Sequence, residues 1–180
     1  MRTLSSAVLT AGALLAGAAT AQVHDASFKG DGDQRTLQEW VDIAGPAACV
    51  WKQFTDEAAI RASGMAFAHV ELKVGGVLEE GFTADAKPAE RIRHQIVTYL
   101  PERLIVLRNI STGPGLPGGE LYPTIVQVIT LEPRESGVTR LTITHTGYGS
   151  GEGYDKLYAF FRQGNGGYLM AVKKACEAAH

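Results

Sequence analysis

From Ala68 onward, apolar and polar residues alternate in short runs, and a period of two marks half-buried strands. AHVELKV (68–74) and VLEEGFT (77–83) flank Gly75-Gly76, which predicts a hairpin. RIRHQIVTYL (91–100) and RLIVLRNI (103–110) follow, joined at Pro101-Glu102. TIVQVITLEP (124–133) and VTRLTITHTGY (138–148) make a further pair around a turn at 134–137. Strands in hairpin order predict an antiparallel sheet. Upstream, TLQEWVDIA (36–44) puts Leu37, Val41 and Ile43 on one face and Trp40 on the other, which reads as one more strand. Gly45-Pro46 ends it. Pro is well tolerated in a first helical turn, so Pro46–Phe54 reads as a short helix burying Val50 and Phe54. Asp56 can cap a second one over Glu57–Ala62.

Two segments break the alternation. Ser111–Pro123 holds four Gly and three Pro and reads as a loop outside the sheet, either a lid or a plain excursion. The C-terminal segment has a helical period. Tyr154, Leu157, Tyr158, Phe161, Tyr168, Leu169, Val172 and Cys176 share one broad face. Lys173 and Lys174 suit the negative end of the helix dipole. Gly164, Gly166 and Gly167 interrupt this helix, and each Gly costs roughly 1 kcal/mol against Ala. They predict a kink or break, or else room for a ligand beside the helix. The fold class is α+β, with an antiparallel sheet of six or seven strands, two short helices after the first strand and one long terminal helix.

The N-terminus reads differently. Met1, Arg2 and Thr3 form a short positive region, Leu4–Ala18 carries no charge, and Ala19-Thr20-Ala21 is a small-x-small cleavage site. Together they predict an export signal over residues 1–21, cut before Gln22. The apolar run is about 15 residues, short of the roughly 20 that a membrane span needs. An ordinary amphipathic helix would need a polar face, which this run lacks. The expected location is periplasmic or secreted. The mature chain would be a flexible lead over 22–35, of little pattern, and one domain over 36–180.

The formal charge of −2 offers no basic surplus, so nucleic acid is not an expected partner. After the signal, no apolar run is long enough to predict a membrane span in the mature form. Close ligand spacing such as HxxxH or CxxC is absent from the sequence, so no metal site is expected. No GxSxG occurs, and the glycine-rich GSGEG (149–153) and GNGG (164–167) lack the Lys-Ser/Thr of a phosphate loop. No cofactor is implied. His24-Asp25 is an isolated pair. Cys49 and Cys176 are either a disulfide or two buried thiols.

The chain resembles a known superfamily. TLQEWVDIAGPAACVWKQFTD (36–56) resembles the opening of SRPBCC (START-like) domains, where a strand leads into a helix beginning near Pro. VTRLTITHTGYG (138–149) and YAFFRQGNGGYLMAVKKACE (158–177) resemble the late strand and terminal helix of the branch named after the activator of the heat-shock-protein ATPase. Gly167-Tyr168 stands where that branch often has a small residue and Trp. The resemblance spans about Thr36 to Glu177 and implies a helix-grip fold, a curved sheet around the long helix with a cavity between. It implies that the short helices brace the far end of the long one, bringing Cys49 to Cys176 and favouring a disulfide.

Strand alternation then nominates the cavity wall. His94 and Ile96 share a face of one strand, Gln127 and Ile129 of another, and Ile143 and His145 of a third. His69 falls on the opposite, water-facing side. Phe161 and Tyr168 are the helix contributions, and Tyr148 and Tyr158 are expected near the mouth. A histidine on an apolar strand face is equally a hydrogen-bonded core residue, and no catalytic set is evident. Three functions follow as expectations. The first is an exported carrier or sensor of an apolar, aromatic or lipid-like small molecule. The second is a cyclase or aromatase, as some relatives are, with His94 or His145 as acid–base groups. The third is a protein-binding module, as the branch name suggests. The disulfide has a direct check: intact mass of the non-reduced protein is expected two hydrogens below the reduced value, and two titratable thiols would overturn it.

Overall fold

The computed structural model describes residues 22–178, so the expected export signal lies outside the described residues. Its first long strand, β3 (Arg35–Ala44), alternates as expected: Leu37, Val41 and Ile43 are buried and Trp40 turns outward. The lead before it is not patternless. Two short strands, β1 (His24–Asp25) and β2 (Phe28–Lys29), pair with β3. The reason is Trp40. On the outer face its ring takes His24 on one contact, stacked at 3.9 Å, and the Arg140 guanidinium on another, 3.5 Å from the ring centre. An indole on the outer face, half-buried beneath these contacts, thus gives the lead a docking point that local sequence pattern does not reveal.

Gly45-Pro46 ends β3, and α1 (Ala47–Thr55) starts one residue after Pro46. Asp56 is a true cap: its Oδ1 accepts from the Ala59 amide at 2.9 Å and starts α2 (Glu57–Ala62). Six further strands follow: β4 (Phe67–Val70), β5 (Val77–Gly81), β6 (Ile92–Leu100), β7 (Leu104–Ser111), β8 (Val126–Pro133) and β9 (Val138–Tyr148). All pairings are antiparallel, in the order β1-β3-β9-β8-β7-β6-β5-β4, with β2 also on β3. This gives nine strands among the described residues, two more than the sequence pattern counted, both from the lead. The sheet is curved and does not close.

The terminal helix α3 (Glu152–Glu177) lies across the sheet and is unbroken through Gly164, Gly166 and Gly167. The expected break does not occur because packing on both sides of the glycines outweighs their propensity. Leu157 is fully buried before them, and Leu169, Val172 and Cys176 after them. Cys176 is bonded to Cys49 on α1, with Cα atoms 5.8 Å apart. At the other end, the loop after β7 forms a 3-10 turn over Gly119–Thr124 and seats on the start of α3. Backbones nearly touch there. A Cβ on Gly118, whose φ is 68°, would lie 2.3 Å from the Gly153 carbonyl oxygen.

Open space surrounds the would-be Cβ atoms of Gly166 and Gly167, so no contact requires glycine there. Gly166→Ala and Gly167→Ala are each expected to stabilise the fold by up to about 1 kcal/mol, read as a higher urea midpoint. A loss of stability in both would show that the helix needs those two positions bare.

Candidate functional site

Between the middle of α3 and the concave face of the sheet lies a cavity of about 390 Å³. Its walls are mostly apolar, with Phe54 from α1, Leu78 from β5, Leu107 from β7, Ile129 from β8 and Ile143 from β9. Gly164 stands on the helix side with nothing within 4 Å of its would-be Cβ, so the missing side chain leaves room at that wall. Phe82 and Phe160, 70% and 44% exposed, flank it together with Leu116 from the loop after β7. That loop is the rim of the cavity. Its first half edges the cavity and its second half, through buried Tyr122, is packed against Leu37, Tyr148 and Leu157.

Seven of the residues nominated from the sequence line this space: His94, Gln127, Ile129, Ile143, His145, Phe161 and Tyr168. Three do not. Ile96 is packed in the core among Trp51, Leu169 and Val172. Tyr148 and Tyr158 meet each other edge to face at 5.0 Å in the second cluster, away from the mouth. The physical reason is the rim loop. Tyr122 fills the end of the cup where those two tyrosines would otherwise open onto it.

The two histidines are held neutral. His94 is 4% exposed, and burial pulls its pKa down to about 4. Burial, and then the charge of neighbouring His94, pull His145 down to about 3. Asn165 Nδ2 on α3 lies 3.5 Å from His145 Nδ1. An amide nitrogen can only donate, so Nδ1 accepts and the imidazole proton sits on Nε2. Nε2 itself, and His94 Nδ1, are buried without a partner among the described residues. At neutral pH each ring keeps its single N–H proton and neither carries the second proton that an imidazolium gives as a general acid. They are hydrogen-bonding groups beside an apolar space.

The residue that sequence reasoning missed is Glu80. It follows Leu78 by two positions on β5 and lines the cavity. Its neighbour Glu79 faces the other way and is matched by Arg91 Nη1 and Arg93 Nε, both at 2.8 Å. Glu80 has no such partner among the described residues, and burial alone lifts its pKa from the usual 4.5 to about 7. Its charge in turn helps push the Tyr122 and Tyr168 phenols above their ordinary range, after burial. Two adjacent glutamates on a strand must point to opposite faces, so Glu79-Glu80 was a readable sign that one acid points inward. Tyr122 carried no such sign because a loop has no face to assign, and Asn165 lay among the glycines that predicted a break in the helix.

A curved antiparallel sheet gripping one long helix over an apolar hollow defines a helix-grip domain of the SRPBCC class. The chain belongs to the family described as activator of Hsp90 ATPase homolog 1-like protein, which matches residues 44–177. Solved structures agree on the fold. A Mesorhizobium loti protein is 16% identical with TM-score 0.65, over 81% of this chain and 99% of its own. The Aha1 dimer from Colwellia psychrerythraea is 13% identical with TM-score 0.63, over 79% and 96%. The Zhui aromatase/cyclase from Streptomyces sp. R1128 is 17% identical with TM-score 0.57, over 80% and 94%. No curated protein matches this chain.

The buried groups set opposite pH dependences. His94 and His145 have depressed folded values, so the stability tied to their neutral forms is lost as pH falls below the usual 6.5 toward about 4 and about 3. Glu80 has a raised value, so the stability tied to its protonated form is present below 4.5 and lost as pH rises through about 7. Glu80→Gln leaves the histidines untouched and isolates the second effect. Urea unfolding is expected to show the variant more stable than the parent by roughly 2–3 kcal/mol at pH 8 and about equal to it at pH 4. Equal stabilities at both pH values would mean that Glu80 is solvated rather than buried.

Proposed function

We propose that this protein is an exported carrier or sensor that holds a small apolar molecule in the cup beneath α3. The observation that carries the reading is the cavity itself. About 390 Å³ of space with apolar walls and a few convergent polar groups is how small-molecule sites are generally built. Glu80 and Gln127, neither fully buried, are the polar points that a ligand can reach, on strands to either side of β6 and β7. Burial of apolar ligand surface contributes roughly 25 cal/mol per Å², enough for useful affinity without chemistry. The export reading rests on the N-terminal signal pattern, and the Cys49–Cys176 bond suits an oxidising compartment. No helix among the described residues is long and apolar enough to cross a membrane.

A second reading is favoured by Glu80. A carboxyl poised near neutrality in a partly dry site is what general acid–base catalysis requires. In an enzyme of the cyclase type this side chain, rather than His94 or His145, would move the proton, because both imidazoles resist protonation. Turnover of an aromatic polyketide-like substrate that vanishes in Glu80→Gln would favour this reading over the carrier.

The carrier reading is tested on protein recovered from the exported fraction of its host. Native mass spectrometry is expected to show a chain starting at Gln22 with a bound small molecule. In the emptied protein, the fluorescent apolar probe N-phenyl-1-naphthylamine is expected to bind. Gly164→Leu, which fills the open wall, is expected to weaken it about tenfold or more while leaving the helix intact. An empty native spectrum together with no probe binding would end the proposal.

A further inference from the structure

Glu80 is an uncompensated acid in a hollow that offers it no cation. Among the residues lining the cavity there is no Lys and no Arg. One position earlier, Glu79 has two guanidinium groups on the opposite face of the sheet. The fold thus supplies counter-charges to the outward acid and none to the inward one. Leaving a carboxyl in such surroundings is unfavourable unless something neutralises it. A proton is one answer. A ligand cation is the other.

The surroundings of Glu80 fit the second answer. Phe54, Tyr122, Phe161 and Tyr168 line the same hollow, and Glu80 is close enough to Tyr122 and Tyr168 for its charge to act on both phenols. A cation near an aromatic face is attracted to the negative ring quadrupole, and more strongly when it is desolvated. A carboxylate together with several rings is therefore a receptor for an ammonium group. The apolar remainder of the cavity receives the rest of such a molecule. On the far side from β5, Gln127 offers a neutral amide, which discriminates little by charge.

We infer that the ligand class of this cup is an apolar or aromatic amine, with its ammonium group paired to Glu80 and enclosed by Tyr122, Tyr168 and neighbouring rings. This rests on the reading that the cavity takes a small molecule, and it narrows the class. Neutral apolar molecules of the same size bind more weakly because they leave the carboxyl unmatched. Carboxylic acids bind weakest because they add a like charge beside it. An arriving ammonium also favours the ionised form of Glu80, so ligand and counter-ion reinforce each other.

The test uses three probes of one shape and three charges: 4-phenylbutylamine, 4-phenylbutanol and 4-phenylbutyrate. Each is titrated at pH 8 into the full mature protein carrying N-phenyl-1-naphthylamine, in the parent and in Glu80→Gln. In the parent the amine is expected to displace the fluorophore at about a tenfold lower concentration than the alcohol, and the acid to be the weakest. In Glu80→Gln the advantage of amine over alcohol is expected to fall within about twofold, with the alcohol itself unchanged. An amine no better than the alcohol in the parent overturns the inference and leaves the cup reading standing. So does an advantage that survives in Glu80→Gln, or a fluorophore that none of the three displaces. A fluorophore that never binds removes the cup reading together with this one.

Discussion

The structure depends on how α3 is held against the sheet. It is clamped at both ends and spaced off in the middle. At its start, the glycines of the rim loop and of the helix let two backbones meet, and Leu157 is buried under Tyr122. At its finish, Leu169, Val172 and Cys176 sink into the main core beside α1, and the bond to Cys49 ties the two helices. Between these anchors the helix offers Phe161, Gly164 and Asn165 to the sheet, too little side chain to fill the space. The cavity is thus a consequence of where the large residues are placed, and the anchors keep it from collapsing.

That geometry explains why polar groups in the cup behave as they do. Phe54, Leu107, Ile129 and Ile143 make the walls apolar, so burial makes charge unfavourable there and Glu80, His94 and His145 each shift toward the neutral form. The two histidines become neutral imidazoles, one oriented by Asn165. The glutamate alone is moved to a value near physiological pH. The same curvature that makes the hollow therefore selects which of its residues is responsive.

Much of this was legible beforehand, element by element. The alternation in 138–148 fixed which side of β9 carries Ile143 and His145, and the structure places both on the cavity wall. Asp56 announced its cap. Other features were not legible, for definite reasons. The lead pairs with β3 through a stack on Trp40 that involves residues 16 and 100 positions apart from it, at His24 and Arg140. The three helix glycines looked like a break because propensity is local, whereas the packing that overrules it comes from the sheet. Ile96 had the right face but lies deeper, in the main core, and Tyr148 and Tyr158, expected near the mouth, are packed with Tyr122 of the rim loop.

The amino-acid order by itself determined the period of each segment: which residues alternate, where chains turn, and hence an antiparallel sheet followed by a long helix. It determined as well that one of Glu79 and Glu80 must face inward, since neighbouring strand residues cannot share a side. Only the tertiary structure decided which of the two it is, and that it meets rings instead of guanidinium groups. Side-chain direction is a property of neighbouring residues along the chain. Surroundings are set by segments far apart in sequence that the sheet and its helix bring together.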